Sequence, residues 1–299
     1  PVTKVGVVGA GLMASQFALL FLRRLRVPVV ITDLDQARVD KGLAYITGEI
    51  DTLRTKGKIS TDESNRLKAL VTGTTDRADF ADADWVIEAV FEEVGVKQEV
   101  FADIEKYVSE TAVLATNTSS LSVTEIGSKL AHPERLVGFH FFNPVAVMPL
   151  LEIVRGAATD DATLATAFAT SRTLKKTSIL VKDSPSFIVN RLLGRFMSEV
   201  GRIVDEGTPV EVADNAFAGI APMPPFVLLS LVGPAIALMP QYHVLGTDRT
   251  GNDVLYQALK SIRTAFVIGT LATIATLPLA VVLGILAGYF RGWVDEVIQ

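Results

Sequence analysis

The sequence contains no cysteine, which excludes disulfides, thiolate zinc sites and a cysteine nucleophile while leaving the compartment open. Histidine is scarce: His132, His140 and His243 are the three in the chain. Nothing reads GxxxxGK followed by Ser or Thr, so ATP hydrolysis by a phosphate-binding loop is closed to this chain. There is no internal repeat, no low-complexity tract and no charged-then-apolar leader. The chain opens on Pro1 rather than Met, as expected of a piece of a longer product. Excess positive charge is also missing. The net charge is −5, which leaves no basic field to neutralise phosphates and argues against a nucleic-acid partner. No metal site is expected.

What is present is apolar side chain, unevenly diluted by charge. Of 299 residues, 49% are hydrophobic and 20% charged, with a mean hydropathy of +0.38. Soluble domains carry about 25% charge. Only eight charged residues follow Asn215, namely Asp248, Arg249, Asp253, Lys260, Arg263, Arg291, Asp295 and Glu296, and their signs cancel. The first 215 residues therefore have the charge density of an ordinary soluble domain and the last 84 do not.

Short apolar runs alternate with helix-period segments through about the first 180 residues. The runs Val5–Val8, Val29–Thr32, 85–90, Val113–Thr116 and 137–141 are rich in β-branched residues and bounded by Gly, Asp or Asn. Such runs suit strands buried on both faces. Leu12–Leu25 and 94–107 read as helices between them, which predicts a parallel sheet covered by helices. The charged insert 36–70 reads as two helices with a turn at 56–60, projecting from the sheet. A turn at Asp183-Ser184-Pro185 marks a boundary, and 187–205 is a long amphipathic helix opening an all-helical part.

Beyond Asn215 the pattern changes. Pro222, Pro224, Pro225, Pro234 and Pro240 break the stretch up to Tyr242, leaving pieces too short to span a bilayer. Residues 264–290 run 27 positions without a charge, about 40 Å as a helix against a hydrocarbon core of about 30 Å. This stretch is expected to be a transmembrane-type helix, kinked at Pro278.

Gly9-Ala10-Gly11-Leu12-Met13-Ala14 follows the first strand and opens a helix, the context in which such a glycine pattern binds a dinucleotide. Gly9 allows the tight turn. Gly11 lets the backbone approach a pyrophosphate at the helix N-terminus, and Ala14 fits where helix meets strand. Asp33 ends the second strand 24 positions after Gly9, where a carboxylate meets the adenosine ribose hydroxyls and repels a 2′-phosphate. The cofactor is therefore read as NAD rather than NADP.

His140 ends an apolar run, and Glu152 follows twelve positions later. Spacing alone leaves a catalytic base and its carboxylate, or a structural pair in a core, both open. The combination of Asn117-Thr118-Ser119-Ser120-Leu121, His140-Phe141-Phe142-Asn143-Pro144, Glu152 and Phe187-Ile188-Val189-Asn190-Arg191 resembles the L-3-hydroxyacyl-CoA dehydrogenases. The likeness is greatest to the dehydrogenase portion of bacterial multifunctional fatty-acid oxidation proteins and runs over about residues 2–238.

That resemblance implies an α/β, Rossmann-like NAD-binding domain (1–184), then a truncated all-helical substrate and dimerisation domain (185–240). It implies NAD-dependent oxidation of an L-3-hydroxyacyl-CoA to the 3-ketoacyl-CoA in β-oxidation, with His140 as general base and Glu152 orienting its imidazole. The family pattern places cofactor contacts at Gly9, Gly11, Leu12, Met13, Asp33, Val90, Phe91, Glu92, Lys97, Asn117, Ser119 and Asn143. It places substrate contacts at Ser119, Asn143 and Asn190, and lets Lys56 or Lys58 in the helical hairpin meet CoA phosphates. Two departures stand out: Ser186 occupies a position where relatives have glycine, and the helical domain stops short of the family's length.

From His243, the run Leu245-Gly246-Thr247-Asp248-Arg249-Thr250-Gly251-Asn252-Asp253-Val254 and the later Ala287-Gly288-Tyr289-Phe290-Arg291-Gly292-Trp293 resemble permeases of dipeptide and oligopeptide ABC transporters. This implies a chimeric chain with a permease-like tail over 241–299. The dehydrogenase part is expected in the cytoplasm, possible as a homodimer, with impaired activity and a tail that associates with the membrane. A permease component and an NAD-binding module without catalysis are the competing readings.

Overall fold

The computed structural model describes residues 2–219 and 223–228. Backbone contacts divide the chain into two units, Pro1–Leu192 and Leu193–Gln299.

The first unit is built on one eight-stranded sheet. Its strands are β1 (Val5–Val8), β2 (Val29–Thr32), β3 (Val71–Thr74), β4 (Trp85–Glu88), β5 (Val113–Thr116), β6 (Leu136–Phe141), β7 (Leu150–Arg155) and β8 (Thr177–Lys182), in the order β3-β2-β1-β4-β5-β6-β7-β8. The helices are α1 (Leu12–Leu25), α2 (Gln36–Thr55), α3 (Thr61–Ala69), α4 (Val94–Ile104), α5 (Val123–Gly127) and α6 (Asp161–Thr173). The two expected helices are present, with α2 and α3 joined at 56–60, but they form the crossover between parallel strands β2 and β3, and α2 buries Val39, Ile46 and Ile50 in the core instead of projecting from the sheet. The strand order reverses beside β1, the point at which open α/β sheets bind ligands beyond the carboxyl ends of their strands.

The apolar runs follow from burial on both sides. Val5, Val7, Ile31, Trp85, Ile87 and Phe139 pack with Phe17, Phe21 and Leu22 of α1 in one core layer. Val8, Val30, Val86 and Leu114 join Val100, Phe101 and Ile104 of α4 in the other. Trp85 and Phe139 meet edge to face at 4.8 Å, and Phe17 stacks on Phe141 at 4.9 Å. This aromatic column fixes β6, and therefore His140, relative to α1.

The sheet departs from the all-parallel expectation in one place. Strands β6 and β7 are antiparallel, and their register sets His140 directly opposite Glu152. The other strand pairs are parallel. Strands β3 and β8 lie at the two edges, and neither they nor β7 was foreseen from the sequence.

Helix α7 (Val189–Asp205) begins in the first unit, two residues later than expected. In the second unit, α8 (Val210–Ala216) follows; Phe196 and Phe217 meet edge to face at 5.1 Å, and Asp214 accepts the Phe226 N–H at 2.8 Å. The 264–290 stretch lies outside the described residues. Among the described residues, no helix is long and apolar enough to cross a membrane.

Candidate active site

The glycine loop joins β1 to α1. Gly9 has φ +106°, and a Cβ there would stand 2.9 Å from the Ala89 carbonyl oxygen, so both backbone conformation and close approach to the β4 end require glycine. A Cβ at Gly11 would meet nothing within 4 Å. The first glycine thus serves the turn, and the second faces open space. Gly11 also stands as N-cap of α1 without any side-chain hydrogen bond, so no side chain competes for the amides of the first turn.

Asp33 accepts hydrogen bonds from the backbone N–H of Ala10 and of Leu34, both at 2.7 Å. The Arg38 guanidinium lies 3.6 Å from it. Gly9, Gly11, Asp33, Val90 and Phe91 line one cavity of about 340 Å³. Arg38 and Arg77 line it as well; their positions on helical and turn segments gave no sequence signal. The cradle, the open space at Gly11 and the carboxylate at the end of β2 fit a dinucleotide. Leu12 is exposed and Met13 half-buried at the start of α1, and neither lines this cavity.

A second cluster sits where β4 and β5 end. Glu88 and Lys97 are both fully buried, and the Lys97 ammonium lies 2.9 Å from each Glu88 oxygen and 3.1 Å from Glu92. Thr116 donates to Glu88, and the Val90 N–H does so at 3.0 Å. Glu92 in turn accepts the Thr118 hydroxyl at 2.6 Å and the Ser119 N–H at 2.7 Å. Burial pushes the Glu92 carboxyl up, but the Lys97 charge and the Thr118 and Ser119 hydrogen bonds outweigh it and hold it below the usual range. Glu92, Lys97 and Ser119 are therefore one hydrogen-bonded unit. Glu88, its buried anchor, escaped the sequence reading because its partner is nine residues away across a loop.

His140 is buried at the end of β6, and its Nδ1 lies 2.8 Å from Glu152 Oε2. Its ring packs against Phe142 at 4.5 Å and Phe187 at 5.8 Å. The other Glu152 oxygen accepts the N–H groups of Ile188 and Val189, each at 3.0 Å, at the start of α7. Burial raises the Glu152 carboxyl, yet the bonds from His140 and these two amides prevail and hold it below the usual range. With Nδ1 committed to the carboxylate, Nε2 is the ring nitrogen left for a proton transfer.

The remaining expected residues are held by other contacts. Asn117 accepts the Phe141 N–H at 2.9 Å and ties β5 to the end of β6. Asn190 Nδ2 donates to the Ser119 carbonyl at 3.2 Å. Asn143 is exposed on the loop after β6 and accepts from Gln16 at 3.1 Å. Ser186 and Phe187, in the turn before α7, have φ of +62° and +51°, so Ser186 holds a left-handed conformation that glycine adopts more easily. Lys56 and Lys58 are exposed at the hairpin turn.

A dinucleotide cradle at the sheet's switch point, with a buried histidine–carboxylate pair on the second and third strands beyond β4, defines a nicotinamide-dependent dehydrogenase site. Comparison with known proteins makes this specific. Residues 4–184 match the 3-hydroxyacyl-CoA dehydrogenase NAD-binding domain, and residues 187–272 match the C-terminal domain of the same family. The chain belongs to the 3-hydroxyacyl-CoA dehydrogenase family.

It is 36% identical over 237 residues to the fatty acid oxidation complex subunit alpha of Idiomarina loihiensis, covering 79% of this chain and 34% of that protein. The chain therefore spans about a third of that curated relative. The crystal structure of M. tuberculosis FadB2 is similar with a TM-score of 0.78 and 34% identity, covering 87% of this chain and 94% of that one. The (S)-3-hydroxybutyryl-CoA dehydrogenase of Ralstonia eutropha gives a TM-score of 0.78 at 31% identity, with coverages of 89% and 94%. The permease resemblance of 243–299 finds no support in these comparisons. The family's C-terminal domain instead extends to residue 272, past the expected end of the helical part at 240.

Proposed function

We propose that this chain oxidises an L-3-hydroxyacyl-CoA to the 3-ketoacyl-CoA with NAD. Bound NAD supplies the acceptor for the hydride leaving C3. The loop at Gly9 and Gly11 would hold its pyrophosphate and Asp33 its adenosine ribose. Leu12, Met13, Val90, Phe91, Glu92, Lys97 and Asn117 would shape the rest of that site.

His140 Nε2 takes the proton of the substrate hydroxyl, and Glu152, ionised and buried, holds the imidazole in the tautomer that leaves Nε2 open. As the imidazole becomes cationic, the same carboxylate stabilises it. Ser119, Asn143 and Asn190 hydrogen-bond substrate, Ser119 and Asn143 also facing the cofactor, while Glu92 keeps Ser119 in place. The observation that carries this reading is the His140–Glu152 bond of 2.8 Å on directly paired strands of the sheet that carries the glycine loop.

A direct test supplies the full chain with NAD and either L- or D-3-hydroxybutyryl-CoA and follows NADH. Turnover of the L-enantiomer alone is expected; none with either would overturn the reading. Division into a nucleotide-binding part over 1–184 and a helical part after it, pairing of two copies through that helical part, and a cytoplasmic site of action belong to the same proposal. Sizing chromatography and cell fractionation test the last two.

A further inference from the structure

Gln16, on α1, reaches the loop after β6, 127 residues away in sequence, through two hydrogen bonds of opposite sense. The buried Val145 donates its backbone N–H to Gln16 Oε1 at 2.7 Å. Gln16 Nε2 donates to Asn143 Oδ1 at 3.1 Å. The order of these bonds is forced. A backbone N–H can only donate, so the oxygen of Gln16 must face Val145 and its NH₂ must face Asn143. Asn143 therefore turns its oxygen toward Gln16, which leaves its NH₂ to point elsewhere. Lys176 grips the same loop, donating to the carbonyls of Val145 and, at 2.7 Å, of Met148. The loop is thus held from both sides, and rotation of the whole segment cannot relax the constraint on Asn143.

The geometry points to Gln16 as a positioning residue that fixes the polarity of Asn143, making it a hydrogen-bond donor that recognises an acceptor oxygen on its ligand. This rests on the proposal above that Asn143 meets a ligand. The oxygen has two possible sources: the cofactor, through its carboxamide, or the acyl-CoA, through a carbonyl. One chemistry serves both, and the measurement separates them.

Gln16→Glu is the decisive variant. An ionised carboxylate still accepts the Val145 N–H but has no donor for Asn143. The Asn143 amide must flip, presenting oxygen to ligand oxygen. Calorimetric titration of the full-length variant with NAD and with acetoacetyl-CoA is expected to show a loss of about tenfold or more for one of them at about pH 8. Affinity recovers only as the pH falls to about 4, where the introduced carboxyl takes up a proton and can donate again. Gln16→Met, which removes both bonds and lets Asn143 rotate, loses less and shows no such recovery.

Unchanged binding of both ligands by Gln16→Glu, or equal and pH-independent losses in the two variants, would overturn the proposal. Asn143→Ala separates the layers. If it binds both ligands as the unaltered chain does, Asn143 meets no ligand and the underlying reading fails as well. If it weakens binding while Gln16→Glu does not, only the role of Gln16 falls.

Discussion

Replacing Glu152 by Gln changes one oxygen to an amide nitrogen at nearly constant volume, in a site where every polar atom of the side chain is engaged. The oxygen of Gln is drawn to the Ile188 and Val189 N–H groups, now both within 3.0 Å of Glu152 Oε1. Its NH₂ then faces His140 Nδ1, which must accept rather than donate. The imidazole proton moves to Nε2, and the nitrogen that should receive the substrate's proton is blocked. The variant also loses the charge that stabilises the imidazolium. For unit charges about 4 Å apart in an effective dielectric near 20 that is about 4 kcal/mol, or roughly 10³ in rate. An amide behind a histidine base in serine proteases costs about 10⁴ in kcat for the same tautomeric reason. A fall in kcat of about 10³–10⁴ with nucleotide affinity retained is therefore expected, read from NADH absorbance under saturating substrate. Activity within about tenfold of the unaltered chain would refute the assignment of Glu152 as the residue that orients the base.

Lys97→Met strands Glu88 in a site with no exposure, so a loss of about 3–5 kcal/mol in unfolding free energy is expected. Chemical denaturation measures it, and adding Glu88→Gln should restore part of the loss. Asp33→Asn removes the charge that opposes a 2′-phosphate while Arg38 stays 3.6 Å away. The ratio of NADP to NAD affinity should then rise about tenfold or more, as fluorescence titration with the reduced nucleotides would show. Glu92 and Glu152 both have carboxyls held below their ordinary values. Their contribution to stability is present above the unfolded carboxyl pKa of about 4.3 and is lost as pH falls through the depressed folded values. Thermal melts should therefore lose height below about pH 4, more gently in Glu152→Gln.

The parts of the site that are local in sequence were legible there. The glycine loop, Asp33 and the two-helix insert are contiguous patterns whose geometry follows from backbone rules. His140 and Glu152 were legible as candidates, but their pairing depends on an antiparallel register that apolar periodicity does not encode. Strand β3 was missed because Val71-Thr72-Gly73-Thr74 has a single buried residue and a glycine. That glycine is there for packing: a Cβ on Gly73 would collide with the Val39 side chain of α2. Strand β8 was missed because most of its residues are partly or fully exposed at a sheet edge. Glu88 with Lys97, and Gln16 with Asn143, are contacts made by the fold between segments whose sequences carry no sign of each other. The hydrophobic composition of the last 84 residues suggested a membrane segment; the family's C-terminal domain matches through residue 272 and so takes in the first residues of the uncharged stretch.

The central claim is that His140 is the base of an NAD-dependent oxidation of L-3-hydroxyacyl-CoA. The most direct test compares single-turnover NADH formation by the full chain and by His140→Gln, each saturated with NAD and L-3-hydroxybutyryl-CoA. Rapid formation is expected in the first and a rate lower by about 10²–10⁴ in the second; equal rates would show that His140 is not the base.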